Sequence, residues 1–239
     1  MRALLRPFDA MVEHQLRFIR AGSEPRHVLK PRPQKKPRWP VALTERTADL
    51  VVGYGEANAW PRGTPLGDGS EIVHLVAERL VSGERFEAFI APRRPLSPSF
   101  SHHTGIAPEA VLAGEPFARF LERFRAFLRP GDVLGGWGYF WSEALRREGT
   151  PLPEFIDLRF VARRALRSGP GDVESCAVRL GAAPEPAWAS GRTGRRAAAV
   201  GAVARALIRV LNSRIQEAVG DAGIPSRIPV GELFLGGHE

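Results

Sequence analysis

Hydrophobic positions change period along this chain, and the changes divide it into segments. Leu4, Leu5, Phe8, Met11, Val12, Leu16 and Ile19 recur at three- and four-residue steps, predicting an amphipathic helix over residues 3–20. Residues 24–40 break that pattern with five prolines and six Lys/Arg, which excludes a regular helix or a central strand. An extended, basic tether is the reading for that stretch. Short apolar runs follow at 48–54, 71–80 and 85–90, separated by the Gly/Pro-rich turn 61–70 and by Ser82-Gly83-Glu84. They read as three strands of an antiparallel meander.

Helical spacing then takes over. Phe117, Phe120, Leu121, Phe124, Phe127 and Leu128 form a stripe wide enough to face a core. Shorter helices are predicted at 108–112, 141–148, 159–166 and 173–180, and a long Ala-rich one at 195–216. Strands open at 132–134 and 155–158 between them. The resulting expectation is a mixed α/β sheet, meander first and parallel strands later, with helices on its faces. In domain terms the chain divides into an N-terminal helix (1–22), a basic Pro-rich linker (23–42), a body (43–216) and a C-terminal tail (217–239).

Charge sharpens this division. Of 239 residues, 34 are Lys or Arg and 26 are Asp or Glu, a net charge of +8. Residues 1–46 hold eleven basic and four acidic groups, and residues 47–239 hold 23 and 22, so the body is nearly neutral. Lys30, Lys35 and Lys36 all lie in the linker, which makes it the natural place for contact with nucleic acid or an acidic partner. The single Cys176 gives no intrachain disulfide and no metal cluster. No apolar run is long enough for a membrane span, and scattered charges exclude a secretory leader, so a cytoplasmic location is expected.

Several ordered fragments carry a resemblance: Pro92-x-x-Pro95-Leu96, Ser101-x-x-Thr104-Gly105-Ile106, Ile156-Asp157-Leu158 and Ser175-Cys176-Ala177-Val178-Arg179-Leu180-Gly181. In order and spacing the chain from about 47 to 211 resembles the DnaQ-like, DEDDh 3′–5′ exonucleases. The resemblance implies a ribonuclease-H-like fold and a five-residue catalytic set, of which four are acids holding a metal pair and one is a histidine base. At the matching positions this chain has Tyr54, Glu56, Trp141, Arg195 and Val200. Asp49 does not replace the first acid, because an odd separation from Tyr54 puts it on the opposite strand face. Glu143, two helical positions from Trp141, faces away from the site. Arginine cannot serve as a base at neutral pH, and valine offers a metal no oxygen. Glu56 is the only remaining metal-ligand candidate, and one carboxylate cannot clamp two ions about 4 Å apart.

Adjacent His102 and His103 lack a third ligand at useful spacing. Asp157 suits a hydrogen-bond acceptor at a strand end, and Cys176 suits a buried core position. Trp137, Tyr139 and Trp141 either fill the vacated cleft or stack bases, filling being favoured. Arg192, Arg195 and Arg196 near a helix N-terminus form a candidate phosphate site. The expectation is thus a catalytically degenerate exonuclease-fold protein without a cofactor, acting in nucleic-acid binding or as a scaffold for a protein partner. The alternative is an active 3′–5′ exonuclease with displaced ligands, which would need Mg²⁺ or Mn²⁺ and Glu56.

Overall fold

The computed structural model describes residues 40–61 and 70–221, the last four as backbone alone. The predicted helix at 3–20, the linker with Lys30, Lys35 and Lys36, most of the 61–70 turn and the tail beyond 221 lie outside the described residues.

The described chain opens with a short helix, α1 (Ala42–Glu45), and a 3-10 turn, Thr47–Asp49. Three strands follow: β1 (Leu50–Asn58), β2 (Glu71–Arg79) and β3 (Arg85–Phe89). Next come α2 (Phe100–Thr104), α3 (Pro108–Leu112), α4 (Phe117–Phe127), β4 (Val133–Gly136) and α5 (Phe140–Arg147). The series ends with β5 (Glu154–Asp157), α6 (Leu158–Leu166), α7 (Val173–Arg179) and α8 (Gly191–Asp221). Among the described residues the strands form one five-stranded sheet, in the order β3-β2-β1-β4-β5. β1 pairs antiparallel with β2 and parallel with β4, so the meander and the later parallel strands meet on it. This is the mixed sheet that the hydrophobic pattern predicts.

β1 is central because it is apolar on both faces. Leu50 and Val52 belong to the core under α6, α7 and α8, whereas Val51 belongs to the core under α4 and α5. In α8, Ala199, Val200, Val203, Ala204 and Leu207 are fully buried, and mostly small side chains let this long helix lie close to the sheet. On the other face Phe120 and Phe124 of α4 are fully buried and pack with Phe86, ring centroids 6.2 and 5.3 Å away. Burying each such ring contributes roughly 2–3 kcal/mol.

Several boundaries differ from those predicted. β1 starts after Asp49, whose amide bonds Arg46 in the 3-10 turn, so Asp49 is not on a strand face at all. The same strand continues past Tyr54 to Asn58, because β2 supplies pairing partners as far as Glu71. α8 begins at Gly191, four residues earlier than its apolar pattern suggests. The Ser-x-x-Thr-Gly-Ile segment is the end of α2, closed by Gly105 at φ 65°, with Thr104 Oγ1 accepting from the Ile106 amide.

Buried polar groups tie these layers together. Asn58 donates to Glu71 (2.9 Å) and to the Pro95 carbonyl (3.1 Å), and accepts from the Ser97 amide (2.9 Å), fixing the Pro-x-x-Pro-Leu segment beside β1. Arg79 and Asp132, each 2% exposed in the side chain, form a two-armed ion pair at 2.6 and 3.0 Å. Arg79 also donates to the Phe127 carbonyl at 2.6 Å and to Glu84 at 2.9 Å.

Candidate functional site

Strands β1, β4 and β5 run parallel, so their C-terminal ends share one sheet edge. The first turns of α5 and α8 reach that edge, and the five positions matched to the catalytic set belong to these elements. The alternation of β1 puts Tyr54 and Glu56 on the α8 face and Gly53 and Gly55 on the α5 face.

Glu56 is buried, 3% exposed, with both oxygens occupied. Arg192 donates from Nε to Oε1 at 2.6 Å and from Nη2 to Oε2 at 2.5 Å, a bidentate fork. That hydrogen bond to Glu56 is the main cause of a raised Arg192 pKa, acting against burial. Next to it Tyr54 packs against Ala197 and Val76, and its hydroxyl accepts from Arg196 Nη1 at 2.6 Å. The Arg196 guanidinium also lies over the Tyr54 ring, 5.5 Å from its centre, and bonds Glu174 at 3.2 Å. Arg195 is exposed and points elsewhere on the helix. The three arginines therefore do not converge on one point: Arg192 and Arg196 face the sheet, already partnered, and Arg195 faces solvent.

The other matched positions diverge as well. Trp141 is 3% exposed and lies across Gly55, where an added Cβ would come within 2.7 Å of the Trp141 Cβ. It packs on the α5 face against Phe124 and Phe155, centroids 6.2 and 5.2 Å away. Val200 is fully buried under α8, in the opposite core. Glu143 is exposed. Of the aromatic trio, Trp141 and Trp137 fill, each against a different core, whereas Tyr139 is 46% exposed beside Phe155. Cys176 is buried in the core, where burial pushes its thiol pKa up. Asp157 caps α6: its Oδ1 accepts from the Arg159 amide at 2.9 Å and from the Gly138 amide at 3.0 Å. His102 and His103 are exposed neighbours whose rings lie 5.3 Å apart.

The sequence reading missed a buried chain of polar groups behind the site. His74 of β2 lies directly across from Glu56 in the antiparallel register and is fully buried. Its Nδ1 lies 2.8 Å from Thr193 Oγ1 and its Nε2 lies 3.0 Å from Glu87 Oε1. The ring also stacks on Phe89, 4.2 Å between centroids. Thr193, in the first turn of α8, is fully buried too, so this His-Thr-Glu chain anchors the helix start. A histidine inside the apolar run 71–80 was the visible signal.

These residues do not fit a divalent-metal pair. The one carboxylate is satisfied by a guanidinium, and a phenol, an indole and a valine stand at three other positions. Among the described residues no group of three or more His, Cys, Asp and Glu is arranged to hold an ion.

No family model and no curated protein matches the chain. Solved structures do. A 3′-exonuclease, in a structure of 3′-end-specific recognition of a histone mRNA stem-loop, matches at 17% identity with a TM-score of 0.52, over 69% of this chain and 81% of that one. A full-length 3′-exonuclease matches at 16% identity with a TM-score of 0.51, over 69% and 82%. At such identities the likeness defines the fold. This chain has the ribonuclease-H-like fold of the DnaQ-like 3′–5′ exonucleases.

Proposed function

We propose that this protein is a catalytically degenerate member of the exonuclease fold class that binds nucleic acid without cutting it. The bidentate pair of Arg192 and Glu56 carries the reading. A guanidinium supplies the positive charge that a buried carboxylate on this strand edge requires, and it leaves no open coordination position for substrate or water. Arg195 and Val200, in place of a base and an acid, support the same reading. So does nucleic-acid recognition by a solved 3′-exonuclease of the same fold. The contacts proposed are Lys30, Lys35 and Lys36 of the linker and the exposed Arg195, with Arg192 and Arg196 holding the former catalytic cleft closed beside it.

The test is incubation of a 5′-labelled single-stranded oligonucleotide with Mg²⁺ or Mn²⁺, for the native chain and Glu56→Ala. No shortening is expected, together with retention of the oligonucleotide that weakens as salt rises. Metal-dependent shortening that vanishes in the variant would overturn the reading in favour of an exonuclease with displaced ligands. Absence of both cleavage and retention would point to a scaffold for a protein partner.

A further inference from the structure

Many arginines of the described residues have an acidic partner. Arg46, Arg79, Arg85, Arg93, Arg123, Arg129, Arg192, Arg196 and Arg205 all form ion pairs with carboxylates. Helix α6 departs from this. Residues 158–171 contain four arginines and no Asp or Glu, within a body whose net charge is only +1 from 47 to 239. Arg159, Arg163 and Arg167 are exposed, and none of their guanidinium groups takes part in a hydrogen bond or ion pair among the described residues. The flanking acids bond backbone amides, Asp157 those of Gly138 and Arg159 and Asp172 that of Ser175, and form no ion pair with these arginines among the described residues.

The spacing decides what this surface can hold. Arg159 and Arg163, four residues apart, lie along one side of α6 about 6 Å from each other, and Arg167 follows at the left-handed residue that closes the helix, so the three charges form a ridge along its outer side and end. Phe160 stands beside the ridge and is 43% exposed, an unusual place for a phenylalanine on a helix that buries Val161 and Ala162. Tyr139, 46% exposed, sits on the loop that the Gly138–Asp157 hydrogen bond ties to the start of α6. A cationic track with open aromatic faces alongside matches a flexible polyanion whose monomers carry flat rings. That is single-stranded nucleic acid. An anionic membrane would also accept both charges and rings, and the fold shared with a 3′-exonuclease that recognises an RNA stem-loop favours nucleic acid over it.

We infer that the outer face of α6 with its flanking residues, namely Arg159, Phe160 and Arg163 of the helix, Arg167 at its end and Tyr139 on the neighbouring loop, is a single-strand-binding surface. It starts at the sheet edge that carries the Glu56 site and leads away from it. The inference rests on the nucleic-acid reading above and adds to it a location in the folded body, separate from the basic linker. Phosphates lie against the ridge and bases stack on the two rings.

The experiment is fluorescence anisotropy with a labelled single-stranded oligonucleotide across a salt series, using the full chain. Three variants accompany it: Arg159→Ala/Arg163→Ala/Arg167→Ala, Phe160→Ala, and Lys30→Ala/Lys35→Ala/Lys36→Ala. The arginine variant is expected to bind roughly tenfold or more weakly at low salt, its log–log salt slope shallower by about two. Phe160→Ala is expected to lose roughly fivefold or more with little change of slope. Arg167→Gly serves as the folding control. Arg167 is the one non-glycine residue at positive φ (53°) among the described residues, so glycine there keeps or raises the melting temperature while weakening binding. An arginine variant that binds like the native chain while the lysine variant fails would overturn the surface and leave nucleic-acid binding standing on the linker. A native chain that binds no oligonucleotide at low salt would overturn both. Ridge-dependent binding of anionic vesicles in place of oligonucleotide would also overturn the assignment.

Discussion

His74 shows how much one residue carries behind the Glu56 site. Its fully buried ring bridges Glu87 and Thr193, holding β2, β3 and the first turn of α8 together. Desolvation by burial lowers its pKa from the ordinary 6.5, and the neighbouring Glu87 opposes that fall without cancelling it. The folded state therefore favours the neutral ring, while the unfolded chain takes up a proton as pH drops through 6.5. The stability that His74 contributes is intact above that value and is lost as pH falls through the window below it. Urea midpoints at about pH 7.5 and about pH 5 are expected to differ in the native chain, the acidic one being lower. His74→Gln is expected to flatten that difference, and equal pH slopes for the two proteins would refute the assignment. His74 stands inside the apolar run 71–80. Its partners were not legible, because Thr193 is 119 residues away.

At the scale of elements, the start of α8 decides the site. Gly191 has φ +67°, and an added Cβ would come within 2.7 Å of Ile106 Cγ1 and 3.0 Å of the Thr104 carbonyl oxygen. The close of α2 is thus seated against the residue that launches Arg192 toward Glu56. Gly105, at φ +65°, makes the informative contrast, since an added Cβ there would meet only Gly191, at 4.0 Å. Asparagine tolerates the left-handed conformation but still brings a Cβ. Gly105→Asn is therefore expected to cost a few tenths of a kcal/mol, and Gly191→Asn about 2 kcal/mol or more, by chemical denaturation. Equal costs would mean that backbone conformation, rather than the contact, governs this junction. Apolar spacing located most elements within a few residues, but it placed this helix start late. Arg192 and Thr193 carry no hydrophobic signal, and they belong to the helix through their sheet contacts.

Across the whole molecule, Arg79 and Asp132 join the β2–β3 hairpin to the end of α4 and the start of β4. Asp132→Ala leaves a buried guanidinium short of its main partner and is expected to cost about 3–5 kcal/mol in cooperative unfolding. Arg79→Met/Asp132→Leu is expected to cost less, because no uncompensated charge remains. A double variant less stable than the single would contradict that account. The order of the strands and the mixed sheet were legible in the sequence through local spacing, and the substitutions at Tyr54, Trp141, Arg195 and Val200 are what the family resemblance implies. The fate of those substitutions was decided only by tertiary structure. Glu56 and Arg192, 136 residues apart, become an ion pair because a sheet edge and a helix start meet there. Arg195 turns to solvent while Arg196 faces the sheet because one residue is about 100° around a helix. The same projection leaves Arg159 and Arg163 of α6 without a carboxylate partner among the described residues. Charge is written residue by residue, but neutralisation depends on which surfaces the fold brings together.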